Sequence, residues 1–396
     1  SQYHRNLFPE YRHVKKEDLG ITAFLSDYIT SPIWEKEMGL GEIAKLDIKP
    51  ILNTEGFRTG LHYPITVTLK NRRIPAIIVQ HHAAHAASTF YTSQSERAAV
   101  LTHDGAFFQV GPNNGMIFYG DQNRLIPIIP NHLSIGDLYD QVGEALGFDL
   151  FGAAGKLMGL APYGKPRFFD LEMVGNTYDL KRNGITEPAK TWLTHCREMA
   201  TSFGYDLSPL GDVERVLEPF CVDIAASTQK LFEETILSAV KVVSGMFTLA
   251  GMPMDTLCYS GGTALNCPTN SRLLAEGPFQ TIHITPHCDD SGLSLGAAQY
   301  LYHNVLDKPR REQSPKTIKE FPYLGFLYGE EVVESALDAV REKIHVQRLP
   351  DAARQAAQDL HDNKIIAWFE GRSEIGPRAL GHRSLLANPK HADNWE

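Results

Sequence analysis

From Ile74 onward, short apolar runs alternate with polar, glycine-bearing breaks. The β-branched run "IPAIIVQ" predicts a buried β-strand, and the small-residue stretch "HHAAHAASTF" that follows it predicts a helix carrying three histidines. "RAAVLTHDGAFFQVG" predicts a strand with a tight turn at Asp104 and Gly105, and "GMIFYGDQNRLIPII" continues as a β-meander. Residues 131–165 read as helical up to the glycine-punctuated "GAAGKLMGLAPYGKP", and 166–215 as a mixed, polar stretch with the character of an insertion. "DIAASTQKLFEETILSAVKVVSGMFTLAG" repeats apolar residues at helical spacing and predicts a long amphipathic helix. Two strand-loop-helix units follow, "MDTLCYSGGTALNCPTNSRLLAEG" and "QTIHITPHCDDSGLSLGAAQYLYH". Such alternation specifies an α/β fold with ligands gathered where the strands end. Before Ile74 the chain is charged and aromatic, with helix-like and irregular pieces broken by Pro and Gly.

A chain of 396 residues exceeds the size of one hydrophobic core, so two domains are expected. The boundary is read in the Pro- and charge-rich segment at 307–325, which separates a large domain at 1–306 from a C-terminal piece at 326–396. That piece makes about one αβ unit and ends in the loop-like "NPKHADNWE", so it is expected to be the start of a domain rather than a whole one. No internal repeat or low-complexity tract is present.

A formal charge of -9 disfavours a broad phosphate-backbone interface and leaves room for a local basic pocket. Five cysteines with no CxxC pair suit reduced thiols, and no apolar run approaches the ~18 residues of a membrane span. The expected location is therefore cytoplasmic; because the chain opens at Ser1 without Met, a leader before it stays open.

Three clusters could carry chemistry. His81 and His85, four apart, share a helix face within reach of one ion, whereas His82 points about 100° away. Asp104 in "THDG" and Asp289-Asp290 in "CDDSGLSLGAA" stand at strand and helix ends. An HxxxH alone is more often helix filling and an Asp there more often an N-cap. Together they form a mixed nitrogen and oxygen set that suits iron, manganese or zinc with open positions. In "YSGGTALNC" paired glycines between strand and helix allow close approach to a phosphate, or simply make a tight turn. "FEGRSEIGPRALGHRSLLANP" sets Arg372, Arg378 and Arg383 among glycines, a composition for bidentate phosphate or carboxylate recognition or for an ordinary surface loop. Neither a P-loop nor a dinucleotide fingerprint is present.

The ordered set "HHAAHAAS", "THDG", "GKLMGLAPYG", "SGGTALN", "DDSGLSLGAA" and "GRSEIGPRALGHRS" resembles the O-carbamoyltransferases of antibiotic and nodulation-factor biosynthesis. The resemblance runs from about residue 80 to 390. It implies a large domain similar to tRNA threonylcarbamoyl transferase, with a duplicated actin/sugar-kinase-like (ASKHA) fold, followed by an incomplete YrdC-like domain. It implies that carbamoyl phosphate and ATP give carbamoyl-adenylate at the C-terminal domain, and that the large domain passes the carbamoyl group to a small-molecule hydroxyl as AMP leaves. Carried over by residue, His81, His85, Asp104 and Asp290 would hold the metal, iron first among the candidates, and act in catalysis. Gly261, Gly262 and Asn266 would cradle the nucleotide with Lys156 near it, and Arg378 and Arg383 would face carbamoyl phosphate or ATP. His82 and Asp289 remain as neighbours.

Two departures accompany this resemblance. The family usually opens with a β-hairpin bearing a His-Asp pair, which is not found before "HRNLFPEYR", so the acceptor-site base is unassigned. The chain also stops soon after "GPRALGHRSLLANP", so this polypeptide alone is expected not to run both half-reactions. A tRNA-modifying threonylcarbamoyl transferase is the alternative from the same fold, opposed by the fused "GPRALG" segment and the lack of a basic face. A non-catalytic actin-like nucleotide-binding module is a third reading, opposed by the paired histidines. No membrane or nucleic-acid partner is expected, and a homodimer is left open.

Overall fold

The structure is a computed structural model; it describes residues 19–23, 43–52, 61–105, 114–131, 133–149, 152–174, 187–310 and 321–394. The chain divides into two compact units, Ser1–Arg311 and Glu312–Glu396.

The first unit is mixed α/β. Strands β1 (Leu19–Ala23), β2 (His62–Leu69) and β3 (Arg72–Val79) form an antiparallel three-stranded sheet. Lys70 and Asn71 close the β2–β3 hairpin, both with positive φ (46° and 62°), as a two-residue turn matched to strand twist requires. The strand expected from "IPAIIVQ" is present but not buried, since Ile74 and Ile78 stay 41% and 47% exposed. Its β-branched run reflects β-propensity more than burial.

Helix α1 (His81–Phe90) follows directly, capped by the Gln80 side chain, which accepts the Ala83 N–H at 2.8 Å. Strands β4 (Arg97–His103), β5 (Gly115–Asp121) and β6 (Arg124–Asn131) make the expected meander. Helices α2 (Ile135–Ala145) and α3 (Ala153–Leu160) come next. The second half of "THDGAFFQVG" lies outside the described residues. The supposed polar insertion instead contains α4 (Glu187–Ser202), whose Ala189, Trp192, Cys196 and Ala200 are buried in the main core. Its apolar stripe is narrow, and its mean composition hides it in a reading by polarity alone. The long helix α5 (Pro219–Leu249) starts earlier than expected, on a proline in its first turn.

Strand β7 (Thr256–Ser260), helix α6 (Cys267–Glu276), strand β8 (Thr281–His283) and helix α7 (Leu293–Gln299) supply the two strand-loop-helix units. The central sheet has the order β6-β5-β4-β7-β8. β4 pairs antiparallel with β5, and parallel with β7 in a register that sets Thr102 opposite Ser260. Both faces are covered, which explains why β4 reads as a continuous apolar run. Ala98 and Val100 pack with Ala83, Ala87 and Phe90 of α1, whereas Ala99 and Leu101 join a core with Ile224, Phe232 and Ile236 of α5. Because β4 and β7 are parallel, their carboxyl ends open at the same edge, and Asp104 and Gly261 come immediately after them.

The second unit contains α8 (Glu330–Asp338), α9 (Ala352–His361) and the antiparallel pair β9 (Ile366–Phe369) and β10 (Arg383–Leu386). Among the described residues no helix is long and apolar enough to cross a membrane.

Candidate metal centre

The close approach of two helices brings the four predicted ligands together. α1 is built of alanines on its packing face, and α7 meets it at Gly296, where an added Cβ would stand 1.9 Å from the Ala84 carbonyl oxygen. Only a glycine allows that separation. The short 3₁₀ turn Asp290–Gly292 at the head of α7 therefore lies over the amino end of α1, where His81 and His85 project. Asp289 caps that turn, accepting the Ser291 N–H and hydroxyl, and Asp290 is left to face the histidines.

Asp104 arrives from the other side, at the end of β4. Its Oδ2 lies 2.8 Å from His81 Nε2 and 2.9 Å from His85 Nε2. Asp290 Oδ1 lies 3.6 Å and 3.3 Å from the same nitrogens, and the two Nε2 atoms are 3.2 Å apart. One donor atom from each residue falls within 4.8 Å of every other. Metal-ligand bonds of about 2.0–2.2 Å give polyhedron edges of roughly 2.8–3.6 Å between octahedral and tetrahedral geometry. The five spacings that involve a histidine nitrogen fall within that range, so the residues fit one divalent cation. His85 is fully buried and the Asp104 side chain is 15% exposed, whereas the side chains of His81 and Asp290 are 39% and 70% exposed. The centre is thus closed behind and open in front, as a site that admits a ligand must be.

The charges agree. Burial opposes protonation of His85, but hydrogen bonds to Asp104 and Asp290 outweigh it and raise its pKa to about 9. Burial likewise opposes the ionised form of Asp104, yet the two histidines and the Gly262 N–H hold it well below the usual carboxylate range. Two carboxylates that keep a proton on a buried imidazole make a pocket that selects positive charge.

The carboxyl end of β7 completes the edge. Gly261 takes φ +99°, and a Cβ there would stand 2.0 Å from the His103 carbonyl oxygen. A Cβ at Gly262 would meet Asp104 Oδ1 at 2.8 Å. The paired glycines thus let β7 close onto β4, with the Gly261 N–H donating to Cys288 O and the Gly262 N–H to Asp104 Oδ1.

Comparison with known proteins follows the same residues. The family model for the carbamoyltransferase N-terminus matches residues 19–299, and that for the carbamoyltransferase C-terminus matches 357–396. The chain belongs to the carbamoyltransferase family. It is 33% identical over 321 residues to nodulation protein NolNO of Sinorhizobium fredii, covering 80% of this chain and 44% of that one. To nodulation protein NolO of Bradyrhizobium diazoefficiens it is 31% identical, covering 80% and 54%. To the 3'-hydroxymethylcephem-O-carbamoyltransferase of Amycolatopsis lactamdurans it is 30% identical, covering 60% and 39%. The chain spans about half the length of the curated relatives it matches.

Within this member of the family the other predicted residues have distinct surroundings. Asn266 is buried as the N-cap of α6, and its amide exchanges hydrogen bonds with the Gln229 amide at 2.9 and 3.0 Å. Lys156 faces Asp149 at 3.7 Å and the Phe148 ring, and no described contact joins it to His81, His85, Asp104 or Asp290. Arg378 and Arg383 belong to the second unit, in a loop organised by Glu374. Sequence reasoning missed Glu374, Gly296 and Asp140. Asp140 is half-buried with its Oδ2 against Gly105; burial and the charges of Asp137, Glu144 and Asp104 push its pKa up to about 7. Its signal was legible as three acids at helical spacing on one face of α2, and that of Gly296 as a small-residue run matching the alanines of α1.

Proposed function

We infer that the protein moves a carbamoyl group from carbamoyl phosphate, by way of carbamoyl-adenylate made with ATP, to a hydroxyl of a small-molecule natural product. The observation that carries this reading is the convergence of His81, His85, Asp104 and Asp290 at the carboxyl ends of β4 and β7. A hydroxyl acceptor is supported by the printed name of the Amycolatopsis relative, a hydroxymethylcephem O-carbamoyltransferase. The five-stranded sheet, antiparallel on one side of β4 and parallel on the other, supports one half of a duplicated ASKHA fold. In this reading the β1–β3 sheet belongs to the other half, and the second unit begins a YrdC-like adenylate-forming domain.

His81, His85, Asp104 and Asp290 would hold a divalent cation, with iron, manganese and zinc all suited to two imidazoles and two carboxylates. Such a cation supplies positive charge for the adenylate phosphate and for the AMP that departs. The chain's own residues define the rest. His85 is fixed between the two carboxylates, and Asp104 is fixed by Gly262, so the back of the pocket is preorganised. The exposed side of His81 and Asp290 leaves the approach for the intermediate. There the acceptor oxygen bonds to the carbamoyl carbon, the bond from that carbon to AMP breaks, and AMP takes the electron pair while the hydroxyl proton passes to solvent. The loop that carries Arg378 and Arg383 is assigned to the anionic co-substrates of the other half-reaction.

Supplying carbamoyl-adenylate directly isolates the transfer step. The wild-type chain, loaded with metal, is expected to release AMP and give carbamoylated product from a panel of hydroxyl compounds followed by mass spectrometry, and H85A and D290A are expected to do neither. Elemental analysis that finds no metal after reconstitution, together with variants that still transfer, would refute the reading.

A further inference from the structure

We propose that Glu374 is the positioning residue of the 371–383 loop, binding Arg383 and the loop backbone to itself so that Arg378 alone presents a free guanidinium to an anion. The proposal deepens the role given above to this loop and rests on it.

Among the described residues of 321–394, Glu374 is the one that is buried. The only enclosed side chain there is thus a carboxylate, not an apolar group. Its Oε1 accepts the N–H groups of Leu380 at 2.7 Å, His382 at 2.8 Å and Arg383 at 3.3 Å. Its Oε2 stands 3.2 Å from Arg383 Nε. Arg383 Nη2 in turn donates to the carbonyls of Gly376 and Arg378. Gly376 and Gly381, at φ +103° and +109°, permit the reversals that aim these N–H groups inward.

The loop is also fastened from outside. His382 stacks on Tyr323 with ring centroids 3.7 Å apart and contacts the Arg372 carbonyl through Nδ1 at 2.8 Å. The Tyr323 hydroxyl donates to Leu380 O at 3.1 Å, and Arg372 donates to Gly325 O at 2.8 Å. Burial opposes the charge on Glu374, but the loop N–H groups hold its pKa down to about 2, so it remains an anion for Arg383 throughout the neutral range.

Two of the Arg383 nitrogens are therefore engaged, and its planar fork cannot also clasp an oxyanion in two-pronged fashion. Arg378 differs. It is exposed, and its side chain makes no hydrogen bond or ion pair with any described residue. A guanidinium on a stapled loop, with little backbone freedom left to lose, binds phosphate more tightly than one on a loose loop.

Backbone hydrogen exchange and carbamoyl phosphate titration on the full chain test the two parts separately. E374A and R383A are expected to speed exchange at the amides of Leu380, His382 and Arg383 by tenfold or more. E374Q, whose amide oxygen still accepts, should restore most of that protection, and R378A should leave it at the wild-type level. R378A is expected to weaken carbamoyl phosphate binding at least tenfold. Unchanged protection in E374A would overturn the role of Glu374. R383A that loses the anion with protection intact, beside R378A that keeps it, would give the anion to Arg383 instead. A wild-type chain that binds no carbamoyl phosphate would defeat the anion reading of the loop and Arg378 with it, while amide exchange still decides Glu374.

Discussion

Asp104 and Gly262 are joined across two parallel strands: the carboxylate Oδ1 accepts the Gly262 N–H while Oδ2 of the same group faces both histidines. The four-residue cluster and the glycine turn are therefore one structure, and a change at either is felt at the other.

Substitution of Asp104 separates the two parts. D104N keeps an oxygen for the Gly262 N–H but turns an amide toward the imidazoles, so it should abolish metal binding with near-native stability. D104A also leaves a buried N–H unsatisfied and should lose a further ~1–3 kcal/mol. Metal calorimetry combined with urea unfolding of the two variants checks both statements.

Gly296 sets the distance between α1 and α7. G296A places a methyl 1.9 Å from the Ala84 carbonyl, so the helices must part, at about 1–3 kcal/mol and with loss of metal affinity through displacement of Asp290. Gly159 in α3 is the control, because nothing lies within 4 Å of an added Cβ there. G159A should be neutral or stabilising by up to about 1 kcal/mol. Thermal melts and metal titration of both variants make the comparison.

The metal-free centre should have a distinctive pH dependence. The folded-state pKa of His85 is raised from 6.5 to about 9, so its protonated pairing adds stability that is complete below pH 6.5 and lost as pH rises through about 9. A metal must displace that proton. Binding at neutral pH is then expected to release about one proton per site, with affinity rising toward alkaline pH. Calorimetry in buffers of different ionisation enthalpy measures the proton directly.

Arg310 closes the carboxyl end of α1, opposite His81 and His85. Its guanidinium donates to the carbonyls of Ser95 (2.7 Å), Phe90 (3.2 Å) and Ser93, and lies 4.7 Å from the Phe90 ring centroid. A cation at a helix carboxyl end complements its dipole, and these charge-assisted bonds are partly buried. R310A should destabilise the protein by about 1–3 kcal/mol, and R310K should recover only part, since one ammonium cannot span three carbonyls. Urea midpoints of the three proteins give the ranking.

Local sequence by itself determined the elements and the ligand types. The period of "HHAAHAAS" placed His81 and His85 on one helix face, the apolar run before "THDG" put Asp104 at a strand end, and the Gly-bearing breaks marked the strand-loop-helix units. These are legible because helix period and strand length are local properties of the backbone. Only the tertiary structure decided that Asp104 and Asp290, far apart in the chain, meet the same pair of nitrogens, because that meeting depends on strand order and on a helix contact as close as Gly296 allows. It also showed that Gly261 and Gly262 let β7 approach β4 closely, that α4 is core, and that Glu374 is buried among its own loop's N–H groups. Burial and hydrogen-bond partnership come from neighbours distant in sequence, so no local pattern of polar and apolar positions encodes them.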